Sequence, residues 1–68
     1  MHLNIQLNGE QRAVEGPLTV SGLIAALELP ARKIAVERNL EIVPRSAYAD
    51  TPVDDGDRIE IVQFVGGG

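Results

Sequence analysis

Three consecutive glycines, Gly66, Gly67 and Gly68, follow the β-branched run Arg58-Ile59-Glu60-Ile61-Val62-Gln63-Phe64-Val65. With Gly near 7% of average usage, a terminal triplet arises by chance in ~0.03% of chains. The chemistry on offer is that of a carboxylate. An alternating strand stops, and a flexible tail, Gly66–Gly68, is expected to carry the Gly68 carboxyl group into solvent. Other side chains capable of chemistry are sparse. His2 is the single histidine, and no Ser or Cys nucleophile is arranged about it. An exposed ring is expected there, because a general base must lie within hydrogen-bond reach of its target. Asp54, Asp55 and Asp57 crowd together but lack the twelve-residue loop and late bidentate Glu of an EF-hand. Turn chemistry is the expectation, and no metal. Arg32 and Lys33 read as a solvated turn after Pro30, and Arg45 and Ser46 as ties for a loop. Nothing assembles a nucleophile, a base and an oxyanion site, so the chain is not expected to be an enzyme by itself.

Composition narrows what can hold such a tail. The 68 residues make one domain, residues 1–68. A chain of this size buries only about 60% of its unfolded surface, so its core is thin. The sequence is 44% hydrophobic and 3% aromatic, which makes that core aliphatic. With no cysteine, there is no disulfide, thiolate metal site or redox pair. Ten acidic residues against six basic ones give a net charge of -4. That balance argues against nucleic acid, whose binding needs clustered Lys and Arg to displace counterions. No apolar run approaches the ~20 residues that span a bilayer, and no signal-peptide pattern is present. A soluble, cytoplasmic protein is expected, with no membrane partner.

The elements that must position the tail follow from periodicity. Leu3, Ile5 and Leu7 alternate with polar residues, as in a half-buried strand. Asn8-Gly9 is a hairpin signal, since both residues tolerate positive φ, and Gln11 to Val14 pair back. Thr19 is placed as a helix N-cap. Val20, Leu23, Ile24 and Leu27 form one stripe on a helix of about two and a half turns, closed by Pro30. So short a helix is unstable alone and must lie across a sheet. Ile34-Ala35-Val36 is a strand core, Glu37 to Glu41 a polar turn, and Ile42-Val43 a short edge piece beside Pro44. Arg45 to Pro52 is a crossing loop anchored by Tyr48, and Asp54-Asp55-Gly56-Asp57 a turn into the last strand. Strands around one helix on one face define α+β. In the last strand, period 2 puts Ile59, Ile61, Gln63 and Val65 on the core side. Arg58, Glu60, Val62 and Phe64 then face outward. Val62 and Phe64, with Val65 beside the tail, are the candidate partner-binding residues; the alternative is that Phe64 folds over the sheet edge and shields it, since single exposed apolar residues are ordinary.

Several motifs occur in one order along nearly the whole chain. They are Asn8-Gly9, Thr19-Val20, Ile34-Ala35-Val36-Glu37, Asn39-x-Glu41-Ile42-Val43-Pro44-Arg45-Ser46, Asp55-Gly56-Asp57 and Val65-Gly66-Gly67-Gly68. In this the chain resembles the ThiS family of sulfur carriers, in the ubiquitin-like β-grasp superfamily. The resemblance implies a β-grasp, a mixed sheet of four to five strands with one short helix across one face. It also implies that a ThiF-like adenylyltransferase uses ATP to convert the Gly68 carboxylate to an acyl-adenylate. A persulfide sulfur donor then yields a thiocarboxylate, which donates sulfur to thiazole synthase for thiamine. The carrier itself would hold no cofactor. Glycines suit the tail because, lacking Cβ, they thread a narrow channel. Two positions depart from the pattern: Leu40 stands where Gly often follows Asn39, and Gly22 where an acidic residue is common. The same tail is compatible with a MoaD-like subunit for molybdopterin or another ubiquitin-like carrier or protein modifier. A β-grasp module that binds without covalent chemistry is the third reading.

Overall fold

A computed structural model describes residues 1–64; Val65 and the three glycines lie outside the described residues. Seven strands and one helix run in the order β1 (His2–Leu7), β2 (Glu10–Glu15), β3 (Leu18–Thr19), α1 (Val20–Ala26), β4 (Ile34–Arg38), β5 (Glu41–Val43), β6 (Pro52–Val53) and β7 (Arg58–Gln63). Short 3-10 turns occupy Ala31–Lys33 and Arg45–Ala47. Five strands form a sheet in the order β2-β1-β7-β4-β5. Its central pair, β1 and β7, is parallel, with Leu7 opposite Ile59. The flanking pairs are antiparallel, so the sheet is mixed. With α1 across one face, this is the α+β β-grasp architecture that the periodicity and the resemblance predict.

The hairpin at Asn8-Gly9 forms as expected, with φ of 51° and 83°. The turn after β4 is tighter than the sequence suggests. Glu37, Arg38 and Glu41 belong to strands, and the turn is Asn39-Leu40 alone, with φ of 54° and 71°. Leu40 accepts a backbone conformation that costs any side chain bearing a Cβ roughly 1 kcal/mol. Tertiary pairing of β4 with both neighbours overrides that local preference.

Thr19 caps α1: the Gly22 N–H donates to its Oγ1 at 3.1 Å. Two further first-turn donors are satisfied by the crossing loop, Val20 N–H on Thr51 O at 2.8 Å and Ser21 N–H on Tyr48 O at 2.9 Å. The loop is thus tied to the helix start, and the buried Tyr48 anchors it. A Cβ at Gly22 would stand 2.9 Å from Leu18 Cδ1, the end of a half-buried side chain that can yield. The helix is shorter than the stripe predicts and ends before Pro30. Glu28 turns left-handed at φ 57°. Its N–H donates to Ala25 O, and that of Leu29 donates to Ile24 O, the paired bonds of a Schellman cap. Glu stands where glycine is usual, which is why the sequence gives no warning of this stop.

Val20, Leu23 and Ile24 bury the helix stripe against Leu3, Ile5, Val36, Ile59 and Ile61, with Leu27 only partly covered. Ile59 is fully buried at the centre of the sheet. The pairing of β3 with β6 is not signalled by any periodicity in two-residue strands. Among the described residues no helix is long and apolar enough to cross a membrane.

Candidate functional site

The strand that leads to the glycines is held from both sides. Toward β4, Asn39 N–H donates to Arg58 O and Phe64 N–H donates to Lys33 O, both at 2.7 Å. Toward β1, Asn8 N–H donates to Ile59 O at 2.9 Å. There β1 ends, and the Asn8 side chain continues its work. Ile61 N–H donates to Asn8 Oδ1 at 2.7 Å, and Asn8 Nδ2 donates to Ile61 O at 3.2 Å. One carboxamide thus reproduces both hydrogen bonds of a strand residue. The chain is fixed in direction up to Phe64, immediately before the tail.

The turn that enters β7 is pinned with equal care. Asp57 is buried and accepts from Arg38 Nε at 2.8 Å, Asn39 Nδ2 at 3.0 Å and the Asp54 N–H at 2.7 Å. Burial pushes its carboxyl up, but these donors and the Arg38 charge outweigh it and hold the group below its ordinary 3.8. The Asp57 carboxylate in turn raises the Arg38 guanidinium. Asp54 receives Arg38 Nη2 at 2.9 Å, and Asp55 accepts the Asn4 N–H at 2.7 Å. All three carboxylates of the cluster therefore serve the turn. Arg45 ties its loop to the turn before β4, donating from Nη2 to Arg32 O at 3.2 Å. Ser46 is exposed. His2 is exposed too, 3.7 Å from Glu15 Oε1.

Period-2 alternation in β7 comes out as the sequence predicts. Ile59 and Ile61 are buried, while Val62 and Phe64 are 59% and 54% exposed on the open face. Gln63 lies on the core side, past the cover of the helix, and is exposed. The register sets Ala35 opposite Val62 and Glu37 opposite Glu60, with Ile42 of β5 opposite Glu37. Ile42 is 78% exposed and stands apart from Val62, in the row of Glu37 and Glu60. Arg58 Nε stands 3.4 Å from Glu60 Oε1. Val65, Gly66, Gly67 and Gly68 lie outside the described residues, so the expected tail and its carboxylate are not placed.

This β-grasp, with its last strand clamped at the sheet centre and an apolar open face beside the exit, defines a ubiquitin-like class of protein. The ThiS family model matches residues 5–68, and the chain belongs to the ThiS family. It is 40% identical over 65 residues to the sulfur carrier protein ThiS of Bacillus subtilis, covering 94% of this chain and 98% of that one. The crystal structure of the thiamine biosynthesis protein ThiS from Geobacter metallireducens superposes with a TM-score of 0.84 at 39% identity, covering 97% of this chain and 100% of that chain. A thiazole synthase of Paramagnetospirillum magneticum is 52% identical over 66 residues, or 97% of this chain. The chain spans about a fifth of the length of that relative, 20%.

Proposed function

We propose that this chain is a sulfur carrier in thiamine biosynthesis and that the Gly68 carboxyl group bears the sulfur. The observation that carries this reading is the near full-length likeness to a protein named as such, at 40% identity over 94% of the chain. The chemistry suits the residues. A carboxylate is a poor electrophile, so a ThiF-like adenylyltransferase first transfers AMP from ATP to Gly68 and releases pyrophosphate. The terminal sulfur of a donor persulfide displaces AMP, giving an acyl disulfide. A thiol then reduces that disulfide and leaves the thiocarboxylate, which passes sulfur to thiazole synthase. The chain supplies no catalytic group. It supplies the strand Arg58–Gln63 and, after Val65, three glycines whose lack of Cβ leaves the carbonyl open to attack. Val62, Phe64 and Val65 form the surface on which the adenylyltransferase docks.

The reading requires Gly68 to be the carboxyl terminus of the mature chain. Intact-mass spectrometry of protein from cells with an active sulfur pathway tests both points. The expected species is heavier by one oxygen-to-sulfur exchange and absent when Gly67 and Gly68 are deleted. If that species is missing, and no AMP adduct forms with an adenylyltransferase and ATP, the chain is a non-covalent module instead.

A further inference from the structure

Successive residues of β7 direct their main-chain groups to opposite sides. Arg58 and Phe64, at even positions, bond to the β4 side, whereas Ile59 and Ile61 bond to the β1 side through Asn8. By the same alternation the N–H and C=O of Gln63 point along the β1 side. No strand remains there to meet them: β1 stops at Leu7, and the chain turns away at Asn8-Gly9. Among the described residues no hydrogen bond reaches these two groups from β1 or β2. They give onto a concavity of about 580 Å³ between the hairpin tip and the end of the helix. Leu27, Leu29 and Ile61 supply its apolar walls, and Arg12 and Glu28 stand at its rims.

We propose that this gap receives an extended segment of thiazole synthase, added as a short strand beside Gln63 in the line that β1 vacates. An open edge inside a sheet is a template for strand addition: main-chain bonds give affinity, and wall pockets take alternate side chains. The walls suit one apolar side chain of such a segment, and the two rims suit flanking polar residues of either sign. The inference rests on the carrier reading and gives it a second docking surface. The helix-side groove lies across the sheet from Val62 and Phe64, so two proteins that act on one tail in turn approach it from opposite faces. The Paramagnetospirillum magneticum relative named thiazole synthase carries a segment like this chain, which keeps such a domain and the rest of that polypeptide together.

Amide exchange on the 15N-labelled full chain tests the proposal. Alone, the Gln63 N–H exchanges rapidly; with purified thiazole synthase it slows by about tenfold or more, as a newly paired strand amide does. Gln63→Pro removes that donor without touching the bonds to β4. It is expected to weaken synthase binding by up to about tenfold, the worth of one main-chain hydrogen bond. Its melting temperature and its AMP-adduct rate with the adenylyltransferase stay as in the parent chain. If the parent binds synthase while Gln63 stays unprotected, the groove proposal alone falls. Protection by the adenylyltransferase, or by raising the chain's own concentration, gives the gap another occupant and likewise overturns it. A parent chain that neither binds synthase nor accepts AMP brings down both the proposal and the reading beneath it.

Discussion

Asp57 is the residue on which most of the turn converges, and it sets how the protein responds to acid. Its pKa is lower in the fold than in the unfolded chain, so the unfolded state takes up the proton first. The stability it contributes is therefore whole above its ordinary 3.8 and is lost as pH falls through the depressed folded value. Denaturant midpoints measured from pH 6 down to pH 2 should fall in the parent and fall less steeply in Asp57→Asn. At neutral pH the variant should be less stable by about 2–3 kcal/mol, because Arg38 and the Asp54 N–H lose a charged acceptor. Leu40 points the other way. Its φ of 71° is glycine territory, so Leu40→Gly is expected to raise stability by roughly 0.5–1 kcal/mol. An unchanged or lower melting temperature would mean that the leucine side chain earns its place through contacts. Neither residue announces its role in the sequence. The aspartate sits among acidic neighbours that look alike until the fold brings Arg38 and Asn39 to one of them, and the leucine contradicts the turn it occupies.

At the scale of elements, periodicity carries most of the reading where a long strand has one buried face; β2, which buries none of its residues, shows no such period. β1, β4 and β7 alternate cleanly, and the α1 stripe meets them. Where elements are two or three residues long, period has no room to show, so β3 and β6 are invisible before the fold. The helix end is illegible for a different reason: a left-handed Glu28 stops it before Pro30 can. Asn8 was legible as a turn residue, but its two bonds to Ile61 depend on a strand fifty residues away. Val62 of β7 and Phe64 just after it stand clear of the core. Changing both to Ser is expected to leave the melting temperature within a few degrees, as exposed substitutions do. The kcat/KM of adenylation should drop by about tenfold if this face seats the adenylyltransferase. Parallel losses of stability and activity would assign them to structure.

For the whole molecule, a charge of -4 and the exposed Glu37 opposite the half-buried Glu60 on the open face favour a partner with a basic surface. Such fields act on encounter more than on affinity. Raising salt from about 0.05 to 0.5 M should therefore slow adenylation several-fold at low carrier concentration. A rate indifferent to salt would leave the net charge without a docking role.

The placement of β7 between β1 and β4 has a bearing on how the protein is made. A nascent chain that has emerged only as far as Asp57 has a hairpin on either flank and an empty slot where the sheet should join. Leu3, Ile5 and Val36 then have the helix stripe but not Ile59 and Ile61 to pack on, and proteases reach a core left open in this way. Closure of the sheet therefore waits for the very strand that leads to the glycines.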